Sequence, residues 1–146
     1  MRLIPPVWFL LSLFAIFLVA WFVPTIVEIN TAWHYAGYII IGAAVGIIIV
    51  CSNEFRKHKT TIHPSHTPSV LVQSGPYSFS RNPIYLAMAI LLTGCSIVLG
   101  NLVALPIVLV FIGIITVLFI EPEEEILNAE FGDEYNRYCK STHRWI

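Results

Sequence analysis

The gaps between charged side chains set out this chain's architecture. After Arg2 the next charge is Glu28, leaving residues 3–27 as an uncharged run of 25. Residues 29–53 form a second run of 25, and residues 82–120 a third of 39. As one helix rising about 1.5 Å per residue, the third run would reach roughly 58 Å, nearly twice a hydrocarbon core of about 30 Å. It has to fold back, and Gly100-Asn101 supplies the turn. The pattern predicts four membrane helices at about 5–27, 33–51, 83–99 and 102–120. Each satisfies its own backbone groups, as a bilayer interior demands.

Composition sharpens this reading. Of 146 residues 57% are hydrophobic and 12% charged, with a mean hydropathy of +0.77, whereas a soluble domain carries about 25% charged residues. A small soluble domain leaves too much surface exposed to hide so much apolar area. A soluble globular enzyme, a disordered chain and a nucleic-acid binder acting through bulk positive charge are therefore excluded. All eight basic residues lie at Arg2, in the 52–82 loop (Arg56, Lys57, Lys59, Arg81) or after the last predicted membrane helix (Arg137, Lys140, Arg144). The positive-inside rule then places both termini and that loop in the cytoplasm of a membrane protein, an arrangement that four spans satisfy. The first run is too long, and too poor in basic and small-residue flanks, for a cleaved signal peptide. Cys51, Cys95 and Cys139 have no ligand-like spacing and read as free thiols. There is no strand–glycine–helix fingerprint for a nucleotide.

Polar chemistry is concentrated in residues 55–85 and 121–146. In the first segment, Asn82-Pro83 is a helix start, with Asn capping and Pro at the first helical position. Arg81 beside it reads either as a positive-inside anchor or, with the helix N-terminus, as an anion site flanked by Tyr77 and Tyr85. In the second, Pro122 followed by Glu123, Glu124 and Glu125 reads as another helix start with acids on its dipole. The same carboxylates emerge at the membrane boundary and equally suit a cationic ligand. Leu127, Phe131, Tyr135 and Tyr138 make an apolar stripe on one amphipathic helix, at the cytoplasmic or interfacial level. His58, His63 and His66 have no acid or cysteine at ligand spacing, so no metal site is expected, although His63 before Pro64 is placed to touch a ligand.

At these residues a family resemblance emerges. Leu71-Val72-Gln73-Ser74-Gly75-Pro76-Tyr77 followed by Ser80-Arg81-Asn82-Pro83-Ile84-Tyr85 resembles the isoprenylcysteine carboxyl methyltransferase signature, whose general form membrane phospholipid N-methyltransferases share. Pro122-Glu123-Glu124, Leu127, Phe131-Gly132, Glu134-Tyr135, Tyr138 and Arg144-Trp145-Ile146 resemble the same family's C-terminal run. The resemblance implies an integral membrane enzyme using S-adenosylmethionine, bound from the cytoplasmic side without a Rossmann domain. It implies cofactor contacts at His63, Leu71, Val72, Tyr77, Asn82, Pro83, Tyr85 and Glu123, and catalytic roles for Arg81, Tyr85, Glu123 and Glu124. The chain would be a single membrane domain over 1–146, with 52–82 and 121–146 as its catalytic region. Carboxyl-methylating members carry an arginine just before the glutamate pair. Here Phe119, Ile120 and Glu121 stand there, and no basic residue lies between Asn82 and Arg137. A lipid amine, a thiol or an isoprenylcysteine-type carboxylate therefore all stay open as the acceptor.

The expected fold is all-α and integral to the membrane: four transmembrane helices plus a C-terminal amphipathic helix. The expected partners are the bilayer and a lipophilic small-molecule acceptor, with no nucleic acid; the sequence leaves the oligomeric state open. Two rival functions differ in class. One is a small non-enzymatic membrane interaction or assembly protein, in which both motifs are helix caps. The other is a membrane reductase using a nicotinamide cofactor, a poor match for a chain with no basic cluster for a second phosphate.

Overall fold

The computed structural model describes residues 4–25, 30–57 and 70–146. Among them the chain is helical, apart from an isolated parallel bridge between Ser80 and His143. Helix α1 spans Pro5–Phe22, α2 Thr31–Lys57, α3 Pro83–Val98, α4 Leu105–Ile115, α5 Glu121–Phe131 and α6 Asp133–Ser141. Short 3-10 turns at Gly75–Ser78 and Leu102–Ala104 precede α3 and α4. Three helical runs (Pro5–Phe22, Thr31–Glu54 and Leu102–Phe131) are long and apolar enough to cross a membrane, and α3 is a shorter apolar helix.

The α3–α4 hairpin turns at the expected dipeptide, and its chemistry explains why. Gly100 takes φ +70°, open to glycine at little cost. The Asn101 side chain accepts from the Val103 N–H at 3.1 Å, capping the 3-10 turn. Its Nδ2 donates to the Val23 carbonyl at 3.0 Å, just past the end of α1, and at 3.4 Å to the Val19 carbonyl, which also accepts the Val23 N–H. Asn101 is only 1% exposed. One buried amide thus ties the hairpin to α1.

The main apolar cluster lies between α1, α3 and α4, where Ile16, Leu92, Phe111, Ile115 and Ile120 are fully buried. Against α3, α2 packs at very short range. A Cβ added at Gly37 would stand 2.7 Å from Val98 Cγ2 and 3.1 Å from the Gly94 carbonyl oxygen. One added at Gly94 would meet Ile41 Cγ1 at 2.8 Å. Small residues at a crossing let two helix backbones approach this closely, the usual route to tight packing without a water-driven hydrophobic term. His34 bonds the Val98 carbonyl at 2.9 Å and closes the end of α3.

Four boundaries differ from the sequence reading. Helix α1 ends at Phe22, ahead of Pro24, rather than at 27. Helix α2 runs on to Lys57, so residues 52–57 are helical rather than loop. Pro122 starts no helix. The chain passes from α4 through a π turn at Thr116–Ile120 directly into α5. Proline lacks the N–H for an i→i−4 bond and its ring collides with the carbonyl there, so the helix widens one turn ahead of it. The Glu121 N–H accordingly reaches back five residues to the Thr116 carbonyl, and the Thr116 hydroxyl donates to the Ile112 carbonyl at 2.7 Å. The C-terminal stripe is also not one helix. Gly132, at φ +50° and ψ −117°, separates α5 from α6. Periodicity continues across that glycine, but the backbone does not.

Candidate functional site

The first turn of α3 meets the first turn of α5, and the last five residues of the chain close over the junction. The Tyr85 hydroxyl donates to Glu123 Oε1 at 2.8 Å. Next to it, Arg81 Nη2 donates to Glu124 Oε1 at 2.9 Å. Arg144 grips the same carboxylate from the other side, with Nη2 at 2.6 Å from Oε2 and Nε at 3.2 and 3.1 Å from the two oxygens. Arg144 Nη1 also stands 3.6 Å from Glu121 Oε1. Glu124 is therefore held by two guanidiniums, the geometry in which forked donors match a carboxylate best. The hydrogen bonds to Glu124 hold the Arg144 side chain above its ordinary pKa, so it stays charged.

Backbone pairing explains why residue 144 arrives there. The Arg81 N–H donates to the His143 carbonyl at 3.0 Å, and Asn82 Nδ2 donates to the Arg144 carbonyl at 3.1 Å. Asn82 does not cap α3 with its side chain as expected. That side chain serves the C-terminal strap instead, while its own N–H is taken by Ser80 Oγ at 3.1 Å. Pro83 is buried at the first position of α3, where its missing N–H costs nothing. Trp145 packs onto the main apolar cluster beside Tyr85.

Val72 and Tyr77 are buried in a second cluster with Cys51, flanked by Ile47 of α2 and Ile84 of α3, and Leu71 is half-buried next to Val72. Burial pushes the Tyr77 phenol up, so it remains protonated. Its backbone carbonyl accepts the Tyr138 hydroxyl, and burial pushes Tyr138 up to about 12. Thr142 Oγ1 donates to the Ser78 carbonyl at 3.4 Å. Helix α6 therefore belongs to the site: its buried Tyr138 fastens the turn carrying Tyr77. His63, with His58 and His66, lies outside the described residues.

The structure thus brings Arg81, Asn82, Tyr85, Glu123 and Glu124 into one hydrogen-bonded junction, while Tyr77 and Val72 sit in a neighbouring cluster against Ile84 of α3, with Tyr77 also held by Tyr138 of α6. Sequence reasoning gave no site role to Arg144, to Tyr138 or to Glu54, whose carboxylate accepts from Ser74 Oγ at 2.8 Å. Arg144 left one usable trace, as a basic residue inside the C-terminal run. For Glu54 the trace was a lone acid at the end of a long apolar helix.

The residues present fit a zwitterionic, sulfonium-bearing cofactor. Arg81 Nε is buried and donates to nothing among the described residues, so it has a proton to offer a carboxylate. Glu123 Oε2 accepts no hydrogen bond among the described residues and suits an ammonium or a ribose hydroxyl. Glu121, Glu123 and Glu124 set three carboxylates against two guanidiniums, which leaves the junction net negative toward a cation.

A family model described as phospholipid methyltransferase matches residues 32–134, from the start of α2 to the start of α6. A protein of Haemophilus influenzae, described as uncharacterized, is 38% identical over 63 residues, which are 43% of this chain and all of that relative. No solved structure matches the chain.

Proposed function

We propose that this chain, which belongs to the phospholipid methyltransferase family, is an integral membrane methyltransferase that moves a methyl group from S-adenosylmethionine to a lipophilic acceptor. The four apolar helices cross the bilayer, with both termini and residues 52–82 on the cytoplasmic side, where the basic residues gather. The observation that carries the reading is the junction itself. Two polar segments, each attached to an otherwise apolar helix, are drawn together by Tyr85–Glu123 and by the Arg81–Glu124–Arg144 clamp. A helix cap needs neither of these connections.

S-adenosylmethionine, when bound, supplies a methyl carbon made electrophilic by an adjacent sulfonium. The residues of this chain contribute position and field. Arg81, through its unused Nε, binds the carboxylate end of the cofactor, and Glu123 its ammonium or ribose end. Val72 and Tyr77 line the apolar side, where a tyrosine face favours a cation. Asn82, Pro83 and Leu71 shape the backbone around it. Holding two reactants in line is worth several kcal/mol or more without any covalent role for the protein. For an ammonium acceptor, Glu123 is the group placed to take the proton that must leave first. For a carboxylate acceptor no base is needed, and Arg144, held at Glu124, supplies the cation that residues 119–121 lack.

Calorimetric titration of the full chain in detergent with S-adenosylmethionine tests this reading. Saturable heat in the micromolar range is expected, lost or greatly weakened in Glu123→Gln. Absence of heat from the unaltered protein at millimolar cofactor would overturn it.

A further inference from the structure

A buried acid at the wrong end of a helix asks for a reason. Glu54 stands in the last turn of α2, where the helix dipole disfavours a negative charge, and it is only 9% exposed. Lys57 Nζ donates to its Oε1 at 2.7 Å, one turn further along. The other oxygen, Oε2, accepts from Ser74 Oγ at 2.8 Å, across 20 positions of chain. Immediately after Ser74, Gly75 takes φ +62° with its Cα pressed on the same side chain: an added Cβ would lie 3.3 Å from Glu54 Cγ and 3.5 Å from Cδ. The carboxylate thus fixes both the hydrogen bonding and the spacing of the turn's entry.

That turn is the one that delivers Tyr77. Ile47, Cys51 and Glu54 follow one another at spacings of four and three, so they line a single face of α2. Val72 and Tyr77 pack on the Cys51 and Ile47 part of this face, and Ser74 docks on Glu54 at its end. On its far side the turn is held by Tyr138 and Thr142. Glu54 is the α2 half of a two-sided grip, with α6 as the other half.

We infer that Glu54 is a positioning residue for the cofactor: it acts through Ser74 to seat the Val72–Tyr77 segment, and it touches no reacting atom. The inference rests on the methyltransferase reading above. It gives a cost-bearing buried charge a task that bundle packing alone does not require, since an apolar residue would pack there without the desolvation penalty.

The experiment is calorimetry of the full chain in detergent with S-adenosylmethionine and, separately, with S-adenosylhomocysteine. Glu54→Ala is expected to weaken both by about tenfold, the usual scale for losing a hydrogen bond to a charged group. Ser74→Ala should give a similar loss, and the double variant little beyond Glu54→Ala, because both changes remove the Ser74–Glu54 contact. Glu54→Gln should restore binding close to that of the unaltered protein, because its amide oxygen still accepts from Ser74. A purely structural role would instead lower the thermal midpoint in all variants and leave affinity alone. Binding in Glu54→Ala equal to the unaltered protein, or Glu54→Gln as weak as Glu54→Ala, overturns the inference and spares the enzyme reading. An unaltered protein that binds neither compound overturns both.

Discussion

The Tyr85 hydroxyl and the Glu123 carboxylate meet at 2.8 Å across 38 positions of sequence. This bond fastens the start of α3 to the start of α5. Tyr85→Phe keeps the ring packed on its apolar neighbours and removes only the donor. It is expected to weaken S-adenosylmethionine binding by about tenfold while changing the thermal midpoint little, because Glu123 is only partly buried and its carboxylate keeps access to water. Glu123→Gln should lose at least as much. Titration calorimetry together with a thermal scan separates the two effects, and unchanged affinity in both variants would detach this pair from the site.

Removing Glu124 should behave differently. Glu124→Ala leaves the guanidiniums of Arg81 and Arg144 facing each other with no shared anion. A destabilisation of about 2–3 kcal/mol is expected, below the range for a fully buried pair because Arg144 is partly open to solvent. Arg144→Ala should cost less, since Arg81 keeps its carboxylate. Denaturant unfolding in mixed micelles measures both, and a double-variant cycle gives their coupling.

The α2–α3 crossing offers a prediction about folding alone. Gly37→Val and Gly94→Val each put a Cβ less than 3 Å from a neighbouring side chain, and about 1–3 kcal/mol of stability should be lost. Gly42→Ala and Gly46→Ala meet nothing within 4 Å and should be neutral or stabilising by up to about 1 kcal/mol. Thermal unfolding of the four variants in one detergent makes the comparison. If all four behaved alike, the close approach would not be what holds these helices together.

Much of this was legible in the residues. Charge gaps mark the apolar helices, and Gly100-Asn101 marks the hairpin, because both signals are local: a helix needs an uncharged stretch and a reversal needs a residue that tolerates φ +70°. The convergence of Arg81, Tyr85, Glu123 and Glu124 was legible through family resemblance rather than periodicity, which cannot say which distant turn faces which. Pro122 misled because proline signals a helix start wherever it follows a break, and here a π turn removes the break. The stripe from Leu127 to Tyr138 misled in the opposite sense, since apolar spacing survives a glycine that redirects the axis. Arg144 and Glu54 were overlooked as site residues because their partners lie 20 positions away, with nothing in the intervening chain to announce the pairing.

The absence of a break at Pro122 has a mechanical consequence. The 30 residues of Leu102–Phe131 form one continuous rod, about 45 Å long at helical rise and longer than a hydrocarbon core of about 30 Å. A rod of that length accommodates a thinner or thicker bilayer by leaning, and its acidic end swings with the lean. The Tyr85–Glu123 and Arg81–Glu124 bonds tie that end to the start of α3, so the hairpin leans as one piece.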